Sequence, residues 1–295
     1  MWTKLNSDNP RVAPLSNENR HNLKNAIDSF LEIDQPGAHW VNLAEGTNRF
    51  TFVKIDGDRQ SALRVFGTGA NALDEAKTEV RFLQTCFSED SSVAVVKIID
   101  EELAVLEMAL LSPALPSPSE VVAIHERYES RITENDLEDL FDRDRDISAL
   151  VTSARTAIDP LEGNIDLPDN DLDRANSLLE KLRGHLDGEP RVPCHGDLSP
   201  GNILQNADGD FVVLDWEDRF WGVRDYDFLY WLTFMKNASH LDRETLQHVE
   251  HPHDISVAIL AMIVIVKESV SLKAAVPRAG RVSPAARLHA VLELL

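Results

Sequence analysis

The segment His195-Gly196-Asp197-Leu198-Ser199-Pro200-Gly201-Asn202, followed by Phe211-Val212-Val213-Leu214-Asp215, constrains this chain more tightly than any other. Pro200 presets its own φ and Gly201 accepts conformations that other residues avoid, so the pair turns the chain between Asp197 and Asn202. Ile203-Leu204-Gln205 then reads as a short strand, Asn206-Ala207-Asp208-Gly209-Asp210 as a turn, and Phe211 to Leu214 as the returning strand. Such a hairpin is expected to bring Asp215 back beside Asn202, with Asp197 on the loop just before. Any fold for this chain must hold that loop and hairpin in fixed register.

The residue types also define a chemistry. An Asn and an Asp offer oxygen donors, which suit a hard divalent cation such as Mg²⁺. A second carboxylate nearby can orient or deprotonate an attacking hydroxyl. Phosphoryl transfer from ATP needs this set, because its transition state asks for positioning and charge neutralisation and for little covalent chemistry.

His-Gly-Asp-x-x-x-x-Asn followed by a strand-borne Asp resembles the catalytic loop and metal site of the aminoglycoside phosphotransferase and choline/ethanolamine kinase superfamily. These are protein-kinase-like enzymes that act on small molecules. The resemblance implies an α+β fold of two lobes, a small N-lobe with an antiparallel sheet and a mainly helical C-lobe. It implies a catalytic base at Asp197, a loop-bracing role for His195, Mg²⁺ ligands at Asn202 and Asp215, and ATP as the phosphoryl donor.

The order of elements before the loop agrees with that expectation. A helical period at Leu23, Ile27, Phe30 and Leu31 spans residues 16 to 33. Strands are expected at Trp40–Leu43, Arg49–Ile55 and Ser61–Phe66, the last two joined by a turn at Asp56-Gly57-Asp58. A helix from about Ala72 to Cys86 and strands at Val95–Ile99 and Leu103–Met108 follow. Gly46-Thr47-Asn48, between two strands, is similar to the phosphate-covering loop of choline-kinase-type enzymes. Arg64 stands where most members of the superfamily carry Lys, and its guanidinium can grip phosphate bidentately. Its expected partner is Glu79 on the following helix, with Glu75 second. Glu107-Met108 is expected to be the hinge whose backbone meets adenine. These readings divide the chain into a nucleotide-binding lobe, 1–108, and a helical lobe with the catalytic loop and acceptor site, 109–295.

The formal net charge of −21, from 29 basic and 50 acidic residues, argues against nucleic acid and anionic membrane as partners and suits a cationic substrate. No signal peptide is expected, and the longest apolar run, Val257 to Val266, reads as a buried helix too short to cross a bilayer. Cys86 and Cys194 lack metal-type spacing, so a reducing cytoplasm is the expected compartment. The acidic run Glu134 to Asp142 reads as a solvated helix face, and His248, His251 and His253 as a solvated loop rather than a metal site.

On the acceptor side, Asp215-Trp216-Glu217 resembles choline and ethanolamine kinases, and Glu217, Asp218 and Trp221 are candidate substrate contacts. Trp216, Phe228 and Trp231 read as packing core, and Asp227 as a brace for the catalytic loop. No Phe, Tyr or Trp occurs from Lys236 to Leu295, so late helices cannot complete an aromatic cage for a quaternary ammonium. The expected acceptor is a hydroxyl on a small, cationic metabolite. Aminoglycosides, homoserine, thiamine and sugars are the alternatives within the class, and a catalytically inactive nucleotide-binding scaffold is the alternative outside it. Oligomeric state is not legible.

Overall fold

A computed structural model describes residues 39–45, 50–56, 59–67, 70–87, 95–100, 103–135, 137–162, 170–273 and 284–295. The described residues divide into two compact units: one takes those from His39 to Ala114 together with Ile203–Glu217, and the other comprises those of Leu115–Asn202 and Asp218–Leu295. The helix expected over 16–33 lies outside the described residues.

The first unit is built on an antiparallel sheet of β1 (His39–Glu45), β2 (Phe50–Asp56), β3 (Arg59–Gly67), β4 (Val95–Asp100) and β5 (Leu103–Ala109). The spatial order is β1-β2-β3-β5-β4, which puts β3 at the centre. β3 is buried throughout Ala62–Phe66, and it therefore carries an apolar run with one interruption, Arg64. Helix α1 (Ala70–Phe87) presents Ala72, Ala76, Glu79, Val80, Leu83 and Phe87 on one buried face. The spacing is helical, and Glu79 is the one charge on that face. Strands β6 (Ser112–Pro113), β8 (Ile203–Gln205) and β9 (Phe211–Val213) form a second small sheet, with Ile203 opposite Val213. The turn closing the β8–β9 hairpin needs Gly209 at φ 90°, and Asn206 Oδ1 accepts the amides of Asp208 and Asp210 there.

The second unit is mainly helical. Helix α2 (Pro118–Glu134) starts at a capping box, in which Ser117 accepts from the Glu120 amide and the Glu120 side chain accepts from the Ser117 amide, with Pro118 at the first helical position. Helices α3 (Ile147–Glu162), α4 (Asp171–Leu186) and α7 (Pro284–Leu292) pack around α6 (His253–Lys273). From Val257 to Val266, α6 is at most 2% exposed and apolar on every side, as expected of a helix surrounded by others. Strand β7 (Val192–Cys194) pairs antiparallel with β10 (Phe220–Gly222), and α5 (Tyr226–Leu232) follows directly. Among the described residues, no helix is long and apolar enough to cross a membrane.

One surface reading changes, and a second gains detail. The acidic run does not form a helix face: α2 ends at Glu134, and Leu137–Leu140 is a short 3-10 turn that buries Leu137 and Phe141 and exposes the acids beside them. Of the histidines near residue 250, His248 and His253 are exposed, as a solvated segment requires, and His251 is partly buried. His251 Nε2 lies 2.9 Å from the Arg224 carbonyl and His253 Nε2 lies 2.7 Å from the Leu294 carbonyl.

Candidate active site

In the helical unit, β7 runs into the loop that carries Asp197, and α5 fixes that loop through one buried carboxylate. Asp227 accepts the backbone N–H of His195 at 2.7 Å and that of Gly196 at 2.9 Å, one on each oxygen. The Tyr128 hydroxyl donates to the same carboxylate at 2.5 Å. Asp227 is wholly buried, and such a carboxylate is stable inside protein only when its lone pairs are satisfied in this way. Burial and then the Asp227 charge push the Tyr128 phenol and the adjacent Cys194 thiol well above their usual ranges.

Gly196 stands at φ 82°, and a Cβ there would sit 2.1 Å from the Asp218 carbonyl oxygen. The tight approach explains why glycine occupies the position between His195 and Asp197. His195 is fully buried, and its Nδ1 accepts the Asp197 amide at 3.2 Å, which ties the two ends of the tripeptide together. Asn202 Nδ2 donates to the Asp197 carbonyl at 2.8 Å, leaving the Asn202 Oδ1 lone pairs for another partner. The Asp197 side chain is half-buried, and Tyr230 on α5 donates to its Oδ1 at 2.5 Å. Burial, and then the charge of Asp197, raise the Tyr230 phenol well above its usual range, so it remains a donor at neutral pH. The Lys267 ammonium rests 3.6 Å from the Tyr230 ring centroid and 3.7 Å from that of Phe234, and donates to Thr233 Oγ1 at 2.8 Å.

In the sheet-bearing unit, the remaining charges meet at Glu79. Arg64 Nη1 lies 3.2 Å from Glu79 Oε1, and Arg64 Nη2 lies 2.8 Å from Asp215 Oδ1. Glu79 also accepts the backbone amides of Asp215, at 2.7 Å, and of Trp216, at 3.0 Å. One buried carboxylate thus orients the guanidinium and the turn after β9. Asp215 takes φ 75°, a left-handed conformation that costs a non-glycine residue energy and recurs at functional sites. Trp216 stacks on Phe82 of α1 with centroids 4.4 Å apart, which seals the turn against the helix.

The other sequence candidates fall as follows. Gly46, Thr47 and Asn48 lie outside the described residues. Glu107 accepts Ser61 Oγ at 2.9 Å, and Met108 is buried. Glu217 is partly exposed, whereas Asp218 is buried at 3% exposure. Trp221 packs on Phe141 at 5.4 Å, and its amide donates to the Arg145 carbonyl. Those partners give Trp221 structural work. Trp216, Phe228 and Trp231 are core, as expected. Tyr128 and Lys267 were not singled out in the sequence, since nothing local relates them to residues so far along the chain.

An antiparallel sheet crossed by one helix, a helical unit, and a loop braced from the helix behind it define the α+β, protein-kinase-like class. The model of the phosphotransferase enzyme family matches residues 40–257, and the chain belongs to that family. It is an enzyme, a phosphotransferase of the small-molecule kinase kind. Among solved structures, the GDP complex of aminoglycoside 2′-phosphotransferase-IIIa is similar at 13% identity, covering 92% of this chain and 97% of that one, with a TM-score of 0.60. A choline/ethanolamine kinase family protein from Mesorhizobium loti is similar at 14% identity, covering 92% of each chain, with a TM-score of 0.60. A thermostable mutant of aminoglycoside phosphotransferase APH(4)-Ia, in ternary complex with AMP-PNP and hygromycin B, is similar at 15% identity, covering 91% of this chain and 98% of that one, with a TM-score of 0.58. No curated protein matches the chain.

Proposed function

We propose that this enzyme moves the γ-phosphoryl group of ATP to a hydroxyl of a small, cationic metabolite, with Asp197 as the base that orients and receives the hydroxyl proton. The observation that carries this reading is the state of Asp197 itself. Oδ1 is held by Tyr230, the backbone is held on both sides, and Oδ2 has no protein partner among the described residues. A fixed, half-exposed carboxylate with one open oxygen is what a positioned base requires.

Asn202, through Oδ1, and Asp215 are the residues that would hold Mg²⁺, and both offer hard oxygen donors. When bound, the ion neutralises phosphate charge. Arg64, oriented by Glu79, would contact phosphate, with Gly46, Thr47 and Asn48 covering it and Glu107-Met108 meeting the base. On this reading residues 1–108 bind the nucleotide, and 109–295 supply the base and acceptor site. The acceptor is proposed to carry an amine, because the charge of −21 favours cations and Glu217 is partly exposed next to Asp215-Trp216. Similar proteins include one of the choline/ethanolamine kinase family and one crystallised with hygromycin B.

Radiolabelled ATP offered with amino alcohols, aminoglycosides, homoserine, thiamine and sugars tests the proposal. Transfer to at least one hydroxylated amine is expected, and Asp197→Asn should slow it by about 10²–10⁴-fold without lowering the melting temperature. Transfer that survives the substitution unchanged removes Asp197 from the mechanism. Nucleotide binding with no transfer to any acceptor would favour the inactive scaffold.

A further inference from the structure

The geometry points to a divalent transition-metal site, with zinc as its natural occupant, built in the helical unit by His185, Glu189 and His251, none of which has a part in the proposed phosphotransfer. One ligand atom from each of the three lies within 4.8 Å of the others. His185 sits on the last turn of α4. The chain continues in a further turn, with the Glu189 amide on the Leu186 carbonyl, and this brings the Glu189 carboxylate back to 2.9 Å from His185 Nε2. His251 comes from the segment before α6, and its ring meets that of His185 edge-on at 5.6 Å.

Two further observations separate this cluster from an ordinary ion pair. His185 Nε2 is buried and has no hydrogen-bond partner, so the carboxylate oxygen is close but off the line of the nitrogen lone pair. A buried ring nitrogen without a partner is costly unless something else uses it. His251 Nε2 faces the Arg224 carbonyl at 2.9 Å, which fixes the ring and leaves Nδ1 as the nitrogen with a lone pair to offer. A backbone carbonyl holding the second nitrogen is the usual support for a metal-binding imidazole. The neighbouring cation is already balanced, since the Arg224 guanidinium pairs with Glu250 at 3.1 Å and with Glu129 at 3.7 Å.

The donor set decides the metal class. Two imidazoles and one carboxylate suit zinc and its first-row neighbours and disfavour Mg²⁺ or Ca²⁺, which take oxygen shells. Zinc bonds of about 2.0–2.1 Å in a tetrahedron put ligand atoms about 3.4 Å apart, so the three groups need move only slightly, with water as fourth ligand. The ion would pin the turn after α4 to the segment before α6. That turn leads directly to β7 and the Asp197 loop. Glu250, next to His251, donates its amide to Asp225 at 2.8 Å, just before α5. The role is structural.

The test uses the full chain stripped of metal with a chelator and then dialysed. Zinc titration against a chromophoric competitor is expected to show one equivalent bound, and zinc should raise the melting temperature where Mg²⁺ does not. His185→Gln and His251→Gln should each weaken binding at least tenfold. His248→Gln, at an exposed histidine nearby, should bind as the parent does. Circular dichroism of the metal-free variants checks that they fold. Zinc binding that persists in a folded double variant at 185 and 251, or no uptake by the intact chain, overturns the site. Phosphotransfer by the zinc-free protein, assayed with ATP and Mg²⁺, is expected to be retained, so failure of the site leaves the proposed reaction untouched.

Discussion

Asp227 uses both carboxylate oxygens to hold the backbone of His195 and Gly196, and one of them also accepts Tyr128. Removing it leaves two amides and a phenol unsatisfied in a dry interior. Asp227→Ala is therefore expected to cost about 3–5 kcal/mol, read by denaturant unfolding, and to abolish transfer with it. Tyr230→Phe is a milder change at the neighbouring residue. It removes a donor from Asp197 without altering shape, and the half-exposed carboxylate can be rehydrated. The expected loss is on the order of tenfold in kcat with KM nearly unchanged, and little change in melting temperature. A fall in KM-dependent binding with kcat intact would assign Tyr230 to the substrate instead. Asp197, Asn202 and Asp215 could be proposed together from the sequence because their spacing is fixed within one short stretch. Tyr128 could not, since it meets Asp227 across 99 positions and only tertiary packing relates them.

Among the elements, β7, its following loop and α5 are packed so closely that backbone conformation becomes restrictive. Gly196→Ala forces a Cβ onto the Asp218 carbonyl and should destabilise by more than about 2 kcal/mol, measurable as a lowered unfolding midpoint. Asp225, just before α5, adopts φ 63°, and burial raises its carboxyl above its ordinary value. The folded state thus holds this proton more tightly than the unfolded chain does. The stabilising contribution is full below the unfolded value of about 3.9 and is lost as pH rises through the folded one. Asp225→Asn keeps an acceptor for the Glu250 amide and tolerates the left-handed backbone. Its stability relative to the parent should therefore rise from acid toward neutral pH, as a melting series would show. A parent that gains on the variant over that range would refute the assignment. Helical period made α1 and α6 readable, and alternation made the sheet readable. The acidic run misled because charge density marks exposure but not the conformation that supplies it.

For the molecule as a whole, a charge of −21 means self-repulsion that added salt should relieve. Melting temperature is expected to rise by several degrees between low salt and about 0.5 M, where the screening length falls below about 5 Å. No rise would mean that the paired charges dominate. From its first described residue, His39, to Ala114 the chain belongs to one unit; it then leaves it and returns for Ile203–Glu217. Composition carries no trace of such a return, because membership is decided by which strands pair, here β8 with β6. The two cysteines fall one to each unit, Cys86 on α1 and Cys194 on β7, and both are buried. An alkylating reagent can reach either sulfur only when the surrounding structure opens. Labelling followed over time and resolved by peptide mass would then read two separate clocks, each timing the breathing of its own half of the protein.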